Sequence, residues 1–251
     1  MYSVRPCYFA PMKEGWLMEK KLHAIIYSKC NFRCKFCNLA FRQNDSMASY
    51  TIDEFVLLVS QLLQLSTCFK FTGGEPTLNP MLIRDLEIVK DLGGYVFLDT
   101  NGSNPAILRE VAEKGLVDVV GISLKGTTVK SALHNANISN DILCWTNPLK
   151  SIECVTNLGI DTIVTHVFNN ESTIEDLHEF ADMITPYPNV KLKINNLLFK
   201  QHRQKGLKRL DDERFAGMIS QFLENSPQWR GRTIVIKDES AITEYDSIEF
   251  R

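Results

Sequence analysis

The chain has 251 residues, 44% of them hydrophobic, which is enough to bury a full core in one domain. Its formal net charge of -2 provides no general attraction to nucleic acid or to acidic membranes. No apolar segment reaches the roughly 18 residues of a membrane span, and the N-terminus lacks the charged-then-apolar order of a signal peptide. We therefore expect a cytoplasmic protein whose seven cysteines are metal ligands or core residues rather than disulfides.

The first predicted elements lead into a loop that is rich in cysteine. Residues 1–21 show no clear periodicity and are expected to form an extension over the edge of the main domain. The apolar run at residues 22–28 predicts the first strand, and Cys30, Cys34 and Cys37 follow it directly. Three thiolates at this spacing can each bind a different iron of one four-iron cluster. The fourth iron then stays open to a substrate or cofactor.

Two other interpretations of the three cysteines remain open at this point. Positions 30, 34 and 37 also share one face of a helix, which would suit buried core cysteines, although Arg33 and Lys35 are poor core neighbours. Zinc also accepts thiolates, but a structural zinc site needs a fourth ligand, and the sequence shows no second paired motif. An iron–sulfur cluster is therefore the favoured hypothesis.

A helix and a second strand are predicted after the cysteine loop. Thr51 and Glu54 form a capping box, which predicts a helix start. A short apolar run that ends at Phe71 predicts the second strand, and Gly73 and Gly74 follow it. Glycines at a strand end let the backbone approach a ligand closely, because no side chain stands in the way.

Strands and helices alternate along the rest of the chain. Further strands are predicted at residues 95–100, 117–124, 161–167, 190–195 and 233–236, and a last helix at residues 211–223. Helix starts are predicted at the Asn-Pro pairs 79–80, 104–105 and 147–148 and at Ser172 with Glu175. This alternation implies a parallel sheet with right-handed crossovers, as a partial barrel or as an open Rossmann-type sheet.

The cysteine loop resembles the signature of the radical S-adenosylmethionine (SAM) enzymes. That signature has three cysteines spaced three and then two residues apart, with an aromatic residue, here Phe36, before the last. The segment from Gly73 to Pro76 resembles the family's glycine-glycine-glutamate-proline motif, which holds the amino group of SAM. Residues 98–102 resemble the corresponding segment of the enzymes that activate glycyl radical enzymes, especially anaerobic ribonucleotide reductase.

The resemblance covers roughly residues 22–196 and implies an α/β fold. The expected architecture is a partial (β/α)6 TIM-like barrel of parallel strands, with its active site at the C-terminal ends of the strands. Residues 1–21 would be an N-terminal extension, residues 22–196 the core, and residues 197–251 a C-terminal helix and strand that close the barrel. All three parts are expected to form a single domain.

The resemblance also implies the cofactors and the reaction. Cys30, Cys34 and Cys37 would bind a 4Fe-4S cluster, and SAM would chelate its open iron. One electron, from a flavodoxin- or ferredoxin-type donor, would cleave SAM to a 5'-deoxyadenosyl radical that abstracts a hydrogen atom from a substrate. The substrate would be a protein such as a glycyl radical enzyme, or else a peptide or a small molecule such as a nucleotide. An iron–sulfur electron carrier or redox sensor is the alternative outside the family.

The family motifs assign SAM contacts at the barrel mouth. Glu75 would hold the SAM amino group beside Gly73, Gly74 and Pro76, and Phe36 would lie near the adenine. Asp99 and Thr100 would lie near the methionine or ribose, Lys125 would pair with the carboxylate, and His166 would contact ribose or substrate. The alternatives are a helix cap for Glu75, a solvated Lys125, and structural roles for Asp99 and His166. We expect one mouth to be faced by Cys30, Gly73, Asp99, Ser123, Lys125, His166 and Asn195.

Two departures from the activating enzymes concern the substrate rather than the cofactors. Those enzymes usually have an aspartate two residues before the equivalent of Lys125, and here that residue is Ser123. Many also carry an aspartate-glycine-proline-glycine turn near the N-terminus, which residues 1–21 lack. The motifs therefore leave the substrate class open.

Three further features have uncertain roles in the sequence. The other cysteines, Cys7, Cys68, Cys144 and Cys154, are scattered, and we expect no auxiliary cluster. The long connection at residues 126–146 is either a substrate contact or a surface excursion. A basic run is either solvated or attracts a phosphate or an acidic peptide; it comprises Lys200, His202, Arg203, Lys205, Lys208 and Arg209.

Overall fold

The computed structural model describes residues 22–37, 50–197 and 206–236, and the backbone of residues 3–9. One eight-stranded sheet organises them. Its strands are β1 (Ser3–Phe9), β2 (Leu22–Tyr27), β3 (Cys68–Gly73), β4 (Tyr95–Thr100), β5 (Val119–Ser123), β6 (Asp161–Phe168), β7 (Val190–Asn196) and β8 (Thr233–Ile236).

The strand order of the sheet is sequential from β1 to β8. Strand β1 pairs antiparallel with β2, and each later strand pairs in parallel with the one before it. A Rossmann-type sheet reverses its strand order at a switch point, and this sheet does not. Right-handed crossovers in one constant direction place the helices on one side of the sheet, as in a TIM barrel. The predicted α/β partial barrel is therefore confirmed.

The sheet differs from the prediction at both ends. Residues 1–21 showed no periodicity, yet Ser3–Phe9 form the edge strand β1 beside β2. The strand predicted at residues 233–236 is β8, which continues the parallel sheet beside β7. The parallel part of the sheet therefore has seven strands, β2–β8, one more than the six predicted for the core. The domain boundaries at residues 21 and 196 stay predictions.

Seven α-helices lie between the strands of the described chain. They are α1 (Ile52–Leu63), α2 (Leu82–Asp91), α3 (Pro105–Glu113), α4 (Val129–Ala136), α5 (Asn147–Asn157), α6 (Ile174–Ile184) and α7 (Asp212–Asn225). Short helical turns also occur at Pro76–Leu78, Ile142–Thr146 and Pro227–Trp229. No helix among the described residues is long and apolar enough to cross a membrane.

The helix starts follow local capping chemistry, with three corrections. Asn79 before Pro80 does not cap α2, which begins at Leu82 after Met81; the Asn79 Oδ1 instead accepts from the Met81 N–H at 2.9 Å. The capping box of Thr51 and Glu54 begins α1, and Asn104 before Pro105 begins α3, as predicted. Helix α6 begins one residue later than predicted, because its capping box is Thr173 with Asp176. Asn147 is not a cap, since the π-helical turn Ile142–Thr146 runs straight into α5.

The two faces of the sheet have different cores. The larger core joins one face of the strands to the apolar sides of the helices, with Phe55 of α1 and Phe180 of α6 among its members. A smaller core on the opposite, inner face contains strand residues only: Leu22, Cys68, Phe97, Val119, Ile163, Ile234 and Ile236. Each large apolar side chain buried in this way contributes roughly 1.5–3 kcal/mol.

Candidate active site

The cysteine loop leaves the C-terminal end of β2 and is fastened to helix α4. Backbone N–H groups of Arg33 and Lys35 donate to the carbonyls of Ala136 and Asn135, both at 2.9 Å. The Asn135 side chain in turn donates to the Lys125 carbonyl at 2.8 Å, just beyond β5. The loop is therefore anchored at both the β2 and the β5 side of the barrel mouth.

The segment at residues 126–146 supports this loop. Ala132 and Ala136 of α4 and Cys144 of the π-helical turn share a small apolar core with Phe32 and Cys34. This packing is a role that the sequence did not predict, and a substrate contact by the segment stays a prediction. The segment covers the back of the cysteine loop and keeps it in place.

The three cysteines share an environment that includes one ammonium group. Burial raises the pKa of the Cys30 thiol, and it raises that of Cys34 to about 11, while the charge of Lys125 opposes both shifts. Lys125 Nζ also lies 5.8 Å from the centroid of the Phe36 ring. Lys125 therefore lies directly beside the cysteine loop, and its pairing with the SAM carboxylate stays a prediction.

Gly73 and Gly74 bring the end of β3 against the start of the cysteine loop. A Cβ atom on Gly74 would lie 2.1 Å from the carbonyl oxygen of Lys29, and one on Gly73 would lie 2.3 Å from that of Tyr27. The N–H of Gly74 donates to Tyr27 O, and that of Glu75 donates to Lys29 O, both at 2.7 Å. The close approach that these glycines permit is therefore to the protein's own backbone.

Glu75 is held rigidly under the mouth and is only 1% exposed. Its Oε1 accepts from the Thr77 N–H (3.1 Å), the Thr77 hydroxyl (2.6 Å) and the Thr100 hydroxyl (2.5 Å). Its Oε2 accepts from the Asn101 N–H at 2.6 Å. Burial raises the pKa of Glu75, although these four donors favour its ionised form. Glu75 caps the turn at Pro76–Leu78, as one alternative predicted, and still leaves lone pairs for another donor.

Asp99 lies on the inner face of β4 and forms an ion pair. Its Oδ2 is 2.9 Å from Lys70 Nζ and accepts a long hydrogen bond of 3.4 Å from the Thr72 hydroxyl. Burial disfavours ionisation of Asp99, but the charges of Lys70, Lys193 and Lys125 outweigh it and lower the pKa. Asp99 is therefore an ionised group inside the barrel.

The inner face also carries Ser123 of β5 and Asn195 of β7. Side chains of a strand alternate between faces, and the neighbours Ile122 and Ile194 belong to the larger, helix-covered core. Ser123 and Asn195 therefore face the inside, as expected. The Asn195 Oδ1 is buried and has no hydrogen-bond partner.

His166 does not face the mouth, which corrects the prediction. Its ring lies on the helix side of the sheet, 4.9 Å from the Phe168 ring and 5.4 Å from the Phe180 ring of α6. Nδ1 is 3.0 Å from the carbonyl oxygen of Leu124, the residue before Lys125. The strand was predicted at residues 161–167 and extends to Phe168, and the alternation of its side chains places residue 166 on the helix side of the sheet. His166 is a buried structural residue that fixes the Leu124 carbonyl.

We expect His166 to make the metal-free chain less stable in acid. Burial lowers its pKa from 6.5 to about 4; the hydrogen bond to the Leu124 carbonyl and the charge of Asp176 raise the pKa by less, and the charge of Lys125 lowers it further. Because the folded pKa is the lower one, protonation favours the unfolded chain, and stability is lost as pH falls from 6.5 toward 4. The free energy of unfolding should drop by about 2 kcal/mol between pH 7.5 and pH 5 on this account.

Denaturant titrations of wild type and His166→Phe at the two pH values measure this effect. The variant lacks the titrating group, so its stability should change less over the same interval, by about 2 kcal/mol. Equal pH dependence in both chains would show that His166 does not control it.

Cys68 and Cys154 lie apart from the cysteine loop, whereas Cys144 packs against it. Cys68 belongs to the inner apolar core, and Cys154 lies on α5. The Cys7 side chain and residues 200–205 of the basic run lie outside the described residues. At the end of that run, Arg209 forms an ion pair with Asp212.

The residues at the mouth fit the two cofactors that the motifs imply. Within the described residues, no three His, Cys, Asp or Glu side chains are grouped as a metal site, the loop cysteines included. The donor set is nevertheless that of an iron–sulfur cluster, since three thiols share one loop at the mouth. Glu75 and Lys125, both within electrostatic range of Cys30, offer partners for the amino and carboxylate groups of SAM.

Comparisons with known proteins agree with this chemistry. A protein of Methanocaldococcus jannaschii, provisionally named a glycyl-radical enzyme activating enzyme, is 29% identical over 57% of this chain and 51% of its own. The 7-carboxy-7-deazaguanine synthase of that organism is 23% identical over 76% of this chain and 81% of its own. The chain thus spans about half the length of the first relative and most of the second.

A solved structure shows the same fold. Streptococcus suis SuiB, crystallised with SAM, has a TM-score of 0.68 at 15% identity, over 85% of this chain and 49% of its own. Residues 24–184 match the family model described as the radical SAM superfamily, which is more than half of the chain. The chain therefore belongs to the radical SAM superfamily, and its cofactors are a 4Fe-4S cluster and SAM.

Proposed function

We propose that the protein cleaves SAM reductively at a 4Fe-4S cluster bound by Cys30, Cys34 and Cys37 and uses the resulting radical to abstract a hydrogen atom from a substrate. The observation that carries this proposal is the convergence of three groups at one mouth. Glu75 is joined to the cysteine loop by its 2.7 Å bond to Lys29 O, and Lys125 lies beside Cys30 and Cys34.

The protein's own residues hold and orient the cofactors. Glu75 is a buried acceptor, fixed by Thr77, Thr100 and Asn101, that binds the amino group of SAM. Lys125 pairs with the carboxylate of SAM, and Phe36 lies beside it for the adenine. Such prior positioning matters because the reaction itself belongs to the cofactor and the protein supplies orientation.

The remaining predicted contacts support these groups. The segment that carries Glu75 packs closely against the start of the cysteine loop, and its shape depends on Gly73, Gly74 and Pro76. Thr100 acts through Glu75, because its hydroxyl donates a hydrogen bond to Glu75 Oε1. Asp99 and Ser123 lie on the inner face, where they are available to the SAM ribose or to the substrate.

The first candidate substrate is a glycyl residue of a partner protein. Residues 98–102 resemble those of activating enzymes, and the relative with 29% identity carries such a name. Modification of a peptide is a related possibility, because SuiB has also been crystallised with its precursor peptide SuiA.

The second candidate substrate is a small molecule, and a specific observation favours it. The inner face of the barrel carries Lys70, Asp99 and Lys193, a charged chamber suited to a small polar substrate. A relative that the chain covers over 81% of its length is named a synthase of 7-carboxy-7-deazaguanine, which is a small molecule.

An anaerobic cleavage assay tests the shared function. The chain is reconstituted with iron and sulfide, reduced with dithionite and given SAM, and 5'-deoxyadenosine is measured by chromatography and mass. Its formation establishes the reaction. Failure to bind SAM despite an intact four-iron cluster would point to an electron carrier or redox sensor instead.

We expect an acidic electron carrier to dock on the exposed side of the cysteine loop. Arg33 is exposed there, and Lys35 Nζ lies 2.9 Å from Nδ1 of His134 on α4. Replacing Arg33 and Lys35 by Glu should slow cluster reduction by a flavodoxin about tenfold at low salt, with a smaller effect at high salt.

Stopped-flow absorbance with reduced flavodoxin measures this rate. Reduction by dithionite provides the internal reference, because a small reductant needs no docking surface. The exposed Lys150, replaced by Glu, is the matched charge control. An equal rate with flavodoxin for the double variant and wild type would place the docking surface elsewhere.

A further inference from the structure

Asn31, the residue after Cys30, contacts the segment that fixes Glu75. Its Oδ1 accepts a hydrogen bond from the Asn101 side chain at 2.8 Å, and its Nδ2 donates to the Ser103 hydroxyl at 2.9 Å. Both ends of the Asn31 amide are therefore paired with the loop that follows β4.

Asn101 joins this contact directly to Glu75. Its backbone N–H donates to Glu75 Oε2 at 2.6 Å, while its side-chain Nδ2 donates to Asn31. Asn101 is only 6% exposed, so these bonds are largely shielded from water. The residue therefore holds the carboxylate with its backbone and the cysteine loop with its side chain.

The direction of the hydrogen bonds in this network is determined by a backbone donor. Asn101 Oδ1 accepts from the N–H of Ser103 at 2.9 Å, and a backbone N–H can only donate. The Asn101 amide must therefore turn its Nδ2 toward Asn31, and Asn31 must offer its Oδ1 in return. The network thus has one arrangement of donors and acceptors.

The loop after β4 is also fastened from the side of helix α5. Asn147 Nδ2 donates to the Ser103 carbonyl at 2.8 Å, and the Ser151 hydroxyl donates to the Gly102 carbonyl at 2.7 Å. Because Gly102 and Ser103 are held independently of Asn31, the bonds of Asn31 restrain the cysteine loop rather than the loop after β4.

Cys30 lies between two restraints that both lead to Glu75. On one side, the carbonyl of Lys29 accepts from the Glu75 N–H at 2.7 Å. On the other side, Asn31 is bound by Asn101, whose N–H holds the Glu75 carboxylate. The two groups are also close enough for the Glu75 charge to raise the pKa of the Cys30 thiol. The place of Cys30 relative to the carboxylate is therefore fixed from both sides.

We propose that Asn31 and Asn101 form a positioning clamp that sets the place of Cys30 relative to the Glu75 carboxylate. SAM would have to meet Glu75 and the cluster at the same time, so a fixed distance between these two anchors favours its binding. This inference rests on the proposed function and adds a link between its two cofactor-binding parts. Asn31 and Asn101 are positioning residues, since they act through Cys30 and Glu75.

SAM binding to reconstituted variants tests the clamp. Asn31→Ala removes both side-chain bonds, so the dissociation constant of SAM should rise about tenfold while the iron content stays at about four per chain. The change that SAM causes in the electron paramagnetic resonance spectrum of the reduced cluster should be smaller than in wild type at the same SAM concentration. Asn147→Ala is the matched control, because it removes a bond of the same length from the α5 side, and it should bind SAM like wild type.

A second substitution separates the clamp from a general loss of stability. Ser103→Ala removes only the hydroxyl that accepts from Asn31 Nδ2, so it should weaken SAM binding less than Asn31→Ala does. In the Asn31→Ala background it should add no further loss, because the two side chains share one bond. Full additivity, unchanged SAM affinity in Asn31→Ala, or an equal loss in Asn147→Ala overturns the proposal.

Hydrogen exchange of the iron-free chains tests the clamp without either cofactor. The Glu75 N–H, whose acceptor is the Lys29 carbonyl, should exchange about tenfold faster in Asn31→Ala than in wild type, and at the wild-type rate in Asn147→Ala. Unchanged exchange in Asn31→Ala overturns the clamp, even where that variant takes up no iron. Failure of wild type to bind SAM at an intact cluster is instead a failure of the proposed function.

Discussion

Replacing Cys34 by Ala is expected to remove the iron–sulfur cluster and with it all reductive cleavage of SAM. Cys34 is the middle one of the three proposed cluster ligands and is buried between Phe32 and helix α4. Without its thiolate one iron of the cluster loses its protein ligand. Changes in the groups around a metal ligand already cost about 10- to 100-fold, so loss of the ligand should lower 5'-deoxyadenosine formation by more than about 100-fold.

Iron content, the visible absorption spectrum and product chromatography measure this effect together. Cys154→Ala is the matched control, because Cys154 is also buried but lies on α5, outside the mouth. It should retain about four irons per chain and the full rate. A Cys34→Ala protein that kept both would exclude this loop as the cluster site.

Local motifs predicted the close backbone approach at Gly73 and Gly74 and the loop of the three cysteines, because each depends on a few adjacent residues; the roles of these residues toward the cofactors stay predictions. Gly73 and Gly74 are needed where β3 meets Tyr27 and Lys29, and that contact leaves no space for a Cβ atom. The cysteine spacing similarly fixes a loop, and Lys125 follows β5 closely enough to reach it. Motifs of this kind can be recognised from adjacent residues alone, because they do not depend on how distant parts of the chain fold.

The predictions of the α6 start and of the direction of His166 were wrong because the sequence fits two neighbouring arrangements about equally well. Ser172 with Glu175 and Thr173 with Asp176 are overlapping capping boxes one residue apart, and the chain uses the second. His166 lies on a strand that is buried on both faces, so its sequence pattern does not show which residues face inward. In the structure the His166 ring packs against Phe180 of α6, and that contact joins residues that are distant in sequence.

Residues 126–146 show a further limit of prediction from sequence. Their packing against the cysteine loop depends on backbone hydrogen bonds from Arg33 and Lys35, which precede their partners Ala136 and Asn135 by 103 and 100 residues. The edge strand β1 is similar, because its pairing with β2 depends on backbone groups rather than on a pattern of side chains. Contacts made by the backbone leave little trace in the sequence.

Replacing Glu75 by Gln is expected to weaken SAM binding while leaving the cluster intact. All four groups around the carboxylate donate hydrogen bonds, and the amide of Gln can accept at only one of its two ends. Its NH2 group would face a donor, and the charge that attracts the SAM amino group would be lost. A charged hydrogen bond contributes about 1.5–3 kcal/mol, so the dissociation constant of SAM should rise roughly 10- to 100-fold.

Equilibrium binding of SAM to the reconstituted protein measures this change, and iron content shows whether the cluster is retained. Glu153→Gln is the control, because it removes the same charge from the exposed surface of α5 and should bind SAM like wild type. Gln at position 75 is preferred to Ala, which would leave the buried donors of Thr77, Thr100 and Asn101 without any acceptor. Unchanged SAM affinity in Glu75→Gln would limit Glu75 to capping the turn at Pro76–Leu78.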